Sequence, residues 1–365
     1  MYFGLRFVAR PLMLAVTLLV GAAFFANVEQ AQAVGPSFIA PYTLGTFKET
    51  TPSGLTNPDD IAVSADGADL WVGYGNTADT KGGTGSGPSN LVEYDISTGT
   101  VLQNLTIPGH LDGVKISPQT GMVWTTQNED GSPTLTIVNP KNGKFQTFNV
   151  TSSMITGGLD DLVLSGPNSA FVTASSQVDG TTPVIVEISL KGKKKKSSLS
   201  VTSVLPGSPA TVFNVVTNAS ESGDMILDPD SMTIDPAGEL VQNDRVSHSL
   251  FIVRNPSASK PVLRVPLALV TTPDVPLEVD DTVFTYSLTS GQSSTAGTLF
   301  ITDTKAGIIY TLTKPYFPTT EVYSAANVLG EVGLVDLNTG LFVPVAMGFM
   351  GVHGLAFSPT SVAIP

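Results

Sequence analysis

Residues 57–67 read NPDDIAVSADG: a turn, two aspartates, three apolar residues and a second turn. The arrangement returns five times. HLDGVKISPQTG starts at His110, GLDDLVLSGPNS at Gly158, DPDSMTIDPAGE at Asp228, EVDDTVFTYS at Glu278 and GVHGLAFSPTS at Gly351. Aligned, each opens on an apolar residue or Pro, then Asp (once His), then Asp, Gly or Ser, and goes on with the period-two alternation of a strand. The aligned acids are Asp59, Asp112, Asp160, Asp230 and Asp280, with His353 in the sixth place, 48 to 73 residues apart.

Each interval holds four short strands. In the first, IAVS, DLWVGYG, NLVEYDI and VLQNLTI are separated by turn residues; in the second the series is VKIS, MVWTTQ, TLTIVNP and FQTFNV. Trp71 and Trp124 both lie 12 residues after their repeat's Asp, which fixes the register and marks both as core. A four-stranded repeat of about 50 residues is the unit of a β-propeller, whose blades cover one another's apolar faces only when several pack radially. The expected fold is therefore all-β: a six-bladed propeller of four-stranded antiparallel blades. The last repeat is too short for four strands, so SFIAPYTLGTFKE near the N-terminus is expected to supply its outer strand and close the ring, which hides open edges. Residues 307–348 hold more strand than one blade requires, which leaves an extra hairpin or a seventh blade open.

Residues 1–33 read as a signal peptide: Arg6 and Arg10, the apolar run PLMLAVTLLVGAAFF, and AQA at the cleavage site. The domain is then 34–365, exported to the periplasm or the medium. The chain has no cysteine, so its stability comes from burial rather than disulfides. A net charge of −13 excludes nucleic acid and anionic membrane as expected partners of the mature chain. A small-molecule substrate, or a carbohydrate or protein ligand on one propeller face, is expected instead, with the protein a monomer. KGGTGSGPS (Lys81–Ser89) lacks the ending of a phosphate loop, and neither G-x-S-x-G nor H-E-x-x-H occurs. KGKKKK (Lys191–Lys196) reads as a solvated hairpin turn. Asn104, Asn149 and Asn218 stand in glycosylation sequons.

The first strand of each blade lines the channel, so the five Asp and His353 are expected to ring the axis at one face. Carboxylates held that close repel, and either keep protons or gather a cation. Oxygen-only surroundings suit Ca²⁺ best, with Mg²⁺ or Mn²⁺ as alternatives. The rival reading is that each Asp bonds its own backbone and only stabilises a turn. His110 and His248 are expected on the same face as His353, and Asn76, Asn128, Asp244 and Asp303, which end second strands, at the same rim. His353, and after it His110, are the acid/base candidates beside a cation-bound water.

PDSMTIDPAGEL (Pro229–Leu240) resembles the Asp-containing metal motif of the SMP-30/gluconolactonase/luciferin-regenerating-enzyme propellers. That resemblance implies a carboxylate ligand at Asp230. It implies two more by position at Asp112 in LDG and Asp160 in LDD, where the family has Asn. A fourth falls at Asp59 in NPDD, where the family has Glu. The strand starts are also similar to NHL-type and YncE-type propellers, and VHGLAF at Val352 to the His-Gly starts of streptogramin lyases, for which His353 with Asp280 is the candidate pair. The function expected is that of an exported propeller with a Ca²⁺-like divalent cation at its central channel, with a metal-dependent lactonase or esterase as its catalytic form; the alternative is a non-catalytic binding or scaffold propeller whose aspartates are structural.

Overall fold

The computed structural model describes residues 35–50, 53–83, 85, 87–175, 181–192, 198–209, 211–222, 226–254 and 262–360. The segment read as a signal peptide and most of the lysine run lie outside these residues. Every element of the described residues is a strand, and the strands form six sheets.

Blades 1 to 3 are consecutive four-stranded meanders. Blade 1 runs Pro58–Val63, Asp69–Tyr74, Ser89–Asp95, Val101–Ile107; blade 2, Leu111–Ile116, Val123–Gln127, Thr134–Asn139, Lys144–Asn149; blade 3, Leu162–Gly166, Ser169–Thr173, Pro183–Lys191, Ser198–Pro206. Blade 4 (Pro229–Ile234, Leu240–Asp244, Ser249–Val253, Val262–Pro266) is extended outward by Val212–Asn214, parallel to its last strand, and Ala219–Glu221. The strands that open the repeats, Pro58–Val63, Leu111–Ile116, Leu162–Gly166, Pro229–Ile234, Thr282–Phe284 and Val352–Thr360, each pack on the next, and the last packs on the first. That closed circle of inner strands, with the sheets radiating from it, is a β-propeller.

The last two sheets exchange chain. The repeat that opens with Thr282–Phe284 does not continue into its own blade. Ser294–Asp303 and Ile308–Thr313 cross into the neighbouring sheet, and Val322–Ala326, Glu331–Val335 and Leu341–Met347 return to complete the first. The neighbouring sheet is finished by Val352–Thr360 on its inner edge and Thr43–Glu49 on its outer edge. The surplus strands between 307 and 348 are therefore accounted for by the exchange and need no further sheet. The N- and C-terminal strands meet in one sheet, as the short last repeat requires.

Six apolar clusters hold the ring, one at each junction between neighbouring sheets. Trp71 fills the junction of blades 1 and 2 and Trp124 that of blades 2 and 3, each 1 % exposed. Where the N-terminal strand closes the ring, the buried Lys314 ammonium sits over the rings of Tyr42 (5.0 Å) and Phe317 (4.9 Å) and pairs with Glu321 Oε2 at 2.6 Å. Tyr42 Oη and Tyr323 Oη hydrogen-bond at 2.8 Å beside it. Removing a cation from such a site leaves Glu321 uncompensated in a poorly hydrated place. Lys314→Met is thus expected to lower unfolding free energy by about 2–4 kcal/mol, read as a lower urea midpoint at unchanged slope; an unchanged midpoint would show that the cage is incidental.

Candidate metal centre

The repeated acids and His353 stand where the inner strands begin, and in blades 1, 2 and 4 and in the last sheet the strand is bulged there. In blade 1 the register passes from Pro58↔Tyr74 to Ile61↔Val72, so Asp59 and Asp60 together oppose one residue; blades 2 and 4 repeat this at Asp112-Gly113 and Asp230-Ser231, and the last sheet at His353-Gly354. In a regular strand consecutive side chains point to opposite faces. The extra residue suspends that rule, so both acids of a pair line one axial cavity of about 100 Å³. Nine carboxyl groups line it.

The second position of the repeat alternates around the ring: Asp60, Gly113, Asp161, Ser231, Asp281, Gly354. Each of the three aspartates joins its blade to the next. The Oδ1 atoms of Asp60, Asp161 and Asp281 accept the N–H of their own following residue at 2.7 Å. Their Oδ2 atoms accept the N–H of Val114 (2.6 Å), Met232 (2.9 Å) and Leu355 (2.6 Å) in the adjacent inner strand. The intervening residues are small because the neighbour's backbone is too near for more. A Cβ on Gly113 would lie 2.7 Å from Asp161 Oδ1, and one on Gly354 would collide with the Asp59 carbonyl. Lys115 Nζ lies among these acids, 2.7 Å from Asp60 Oδ2 and 2.9 Å from Asp161 Oδ1. The turn-and-backbone role expected of the repeat's first acids belongs to its second ones.

The first-position side chains do something else. His353 Nδ1 lies between Asp280 Oδ2 (3.2 Å) and Asp59 Oδ1 (3.3 Å), and Asn327 donates to Asp280 Oδ2. Arg245 Nε is 3.5 Å from Asp230 Oδ2 and is shared with Glu278 at 2.8 Å. That leaves Asp112 and Asp160, and with them Glu129, from the loop after the second strand of blade 2. Ligand oxygens of these three lie within 4.8 Å of one another. Asp112 Oδ2 is buried and has no hydrogen-bond partner among the described residues.

Burial, then the charges of neighbouring acids, holds Asp112 and Asp160 well above the usual carboxylate range. Burial and the charges of Asp59 and Asp130 push Glu129 up to about 7. Asp230 and Asp280 are also raised by burial, with Arg245 and His353 opposing. Asp59 ends below its ordinary value: burial raises it, but the hydrogen bond and charge of His353, with the charge of His110, outweigh that. Burial would lower His353, but Asp280 and Asp59 push it up to about 10, so it is a cation at neutral pH. Three convergent carboxyl groups of low proton affinity in water and high proton affinity here, one with an orphaned oxygen, are a donor set that fits a hard divalent cation.

All five aspartates and His353 named from the sequence meet at this cavity. His110 lies beside it: its ring packs on Gly75, where a Cβ would stand 2.7 Å from Nε2, and it is not in the lining. His248, in a turn with φ 50°, is likewise outside the lining. The residues that end second strands serve as loop clamps. Asn76 Oδ1 accepts the N–H of Thr56, Asn128 Oδ1 that of His110, Asp244 Oδ1 that of Asp228, and Asp303 Oδ1 that of Gly351. Glu129 was not foreseen; the signal for it is its place, directly after a clamp residue on the face where the acids gather.

No family model matches the chain, and no curated protein matches it, so the likeness to the SMP-30/gluconolactonase family rests on its motifs alone. Among solved structures, a streptogramin B lyase is similar at 14 % identity over 86 % of this chain and 91 % of that one, with a TM-score of 0.48. The virginiamycin B lyase of Staphylococcus aureus is similar at 10 % identity over 88 % and 90 %, TM-score 0.46. A protein of unknown function from Bacteroides caccae is similar at 11 % identity over 82 % and 86 %, TM-score 0.46. Likenesses this distant do not bear on the site.

Proposed function

We propose that this is an exported six-bladed propeller that binds one divalent cation, Ca²⁺ by preference, at the mouth of its axis through Asp112, Glu129 and Asp160. One observation carries the reading: Lys115, Arg245 and His353 pair with Asp60, Asp161, Asp230, Asp59 and Asp280, and Asp281 is held by the N–H groups of Thr282 and Leu355, so among the described residues these three are the acids of the lining left with neither an ion pair nor a hydrogen bond to the carboxyl group. Export rests on Arg6, Arg10 and the apolar run that follows them. The other first-position acids surround the cation and raise the local negative potential without having to ligate it.

The same site has a catalytic version, a lactonase or esterase. A bound cation would supply a polarised carbonyl and a water of lowered pKa. Without a cation His353 is held protonated by Asp280 and Asp59 and would donate a proton rather than take one. A cavity of about 100 Å³ and a histidine fixed between two carboxylates favour binding over turnover.

Calorimetric titration of the chain from residue 34 onward with Ca²⁺ tests the reading. One saturable site is expected, weakened at least about tenfold, or about 1.4 kcal/mol, by Glu129→Gln or Asp160→Asn. The exposed Asp274→Asn serves as control and should bind as wild type. Silence with Ca²⁺, Mg²⁺ and Mn²⁺ alike would remove the cation from the account. Ester or lactone hydrolysis that disappears in Glu129→Gln would move the protein to the catalytic version.

A further inference from the structure

The six inner strands enclose a second cavity, at the end of the axis opposite the acids. It measures about 330 Å³. Each inner strand contributes an apolar side chain: Val63, Ile116, Leu164, Ile234, Val283 and Phe357. At its open end Ile234 and Tyr286 are 41 % and 40 % exposed, and Tyr286 meets Phe357 edge to face at 5.8 Å. Its closed end is the layer of Lys115 and Asp281, which separates it from the acidic cavity. Concave, mainly apolar sites with a few convergent polar groups at one end are the general form of small-molecule pockets, and this volume falls at their lower limit.

The polar end restricts the class of ligand. An ammonium has three N–H donors, and the two ion pairs of Lys115 use two of them. The side chain keeps 21 % of its surface and lines this cavity, and no acceptor among the described residues takes the third donor. A ligand carboxylate would come to rest beside Asp60, Asp161 and Asp281, where like charges repel. An added ammonium would displace Lys115 or lie against it. A neutral acceptor, such as a ketone, ester or ether oxygen, avoids both.

We propose that this end of the axis binds a small neutral molecule with an apolar body the size of one or two rings and a single hydrogen-bond acceptor directed at Lys115 Nζ. The site is separate from the cation site and does not depend on it.

Prodan, a neutral naphthyl ketone whose emission shifts to the blue when it leaves water, is a suitable probe. Titrated against the chain from residue 34 onward, it is expected to bind saturably at one site with blue-shifted emission. Thr233→Trp and Val63→Trp place a large ring in the cavity from two different blades, at side chains that are only half-buried. Each is expected to weaken prodan binding at least about tenfold while leaving the Ca²⁺ titration as in wild type. Should one variant fail to fold, the other carries the comparison. The proposal is overturned if wild type gives no saturable shift, or if a folded variant binds prodan as tightly as wild type does. Because the readout is prodan rather than Ca²⁺, the two sites fail or succeed separately.

Discussion

With chelator present, the melting temperature is expected to fall by roughly 5–10 °C between pH 5 and pH 8, and saturating Ca²⁺ is expected to restore it at pH 8 while changing little at pH 5. The cause is the raised carboxyl groups of the axial cavity. A carboxyl group of Glu129 pushed up to about 7, from 4.5 in the unfolded chain, favours the folded state while both forms are protonated. As pH rises from about 4.5 through 7 the unfolded chain ionises freely and the folded site does not, so stability is lost across that window. Asp112 and Asp160 act in the same direction. His353 adds to it from its ordinary 6.5 upward, since its charge is favoured in the fold up to about 10. Asp59 opposes the trend only near pH 4, below the window, because its value is lowered. A cation that binds only the folded, ionised site stabilises by mass action, about 2.7 kcal/mol at a hundred times its dissociation constant. Thermal melts at the two pH values, with chelator and with Ca²⁺, give four numbers. A melting temperature that is flat or rises with pH in chelator would contradict the crowded-carboxylate account.

How much of this was legible in the sequence depends on what kind of information each feature carries. The repeat was legible because the x-Asp-x start, the alternation after it and the Trp spacing are local patterns, and a propeller is a local pattern repeated. Convergence of Asp59, Asp112, Asp160, Asp230, Asp280 and His353 followed from it, since residues at equivalent places in equivalent blades share a rim. Strand partnership was not legible. STAGTLFITD alternates as any second strand would, and nothing in it says that it pairs with Val352–Thr360 instead of Thr282–Phe284. The division of labour among the acids was hidden for a related reason. Alternation of Asp with Gly or Ser at the second position is visible in the letters, but its meaning lies in a hydrogen bond to the next blade and in the closeness of the backbone there. Glu129 sits outside the repeated motif, so periodicity could not reach it.

Lys115→Met is expected to destabilise the protein by about 3–5 kcal/mol at pH 8, the largest single-residue effect in the axis, and by distinctly less at pH 5. Lys115 is the cation that compensates the second ring, and its own charge is strongly favoured there by Asp161 and Asp60 against the cost of burial. Without it, Asp60 and Asp161 remain close together in a poorly hydrated layer while still fixed by the backbone N–H groups of two blades each. They cannot turn away without giving up those bonds. Protonation of Asp60 is the relief left. Asp60 already sits at about 7 with Lys115 in place, chiefly through burial, and Asp281 is held well above the ordinary range. At pH 5 such groups are largely neutral, so the lost ammonium has less to compensate. Asp60→Asn in the Lys115→Met background keeps one acceptor oxygen and removes a charge. The double variant should therefore regain part of the loss at pH 8, and the coupling between the two sites should shrink at pH 5. Additive effects at both pH values would show that Lys115 contributes by packing rather than by charge. The contrast with the first ring separates the two layers of acids: changing Glu129 or Asp160 alters what the cavity binds, whereas changing Lys115 and its acids alters whether neighbouring blades stay joined.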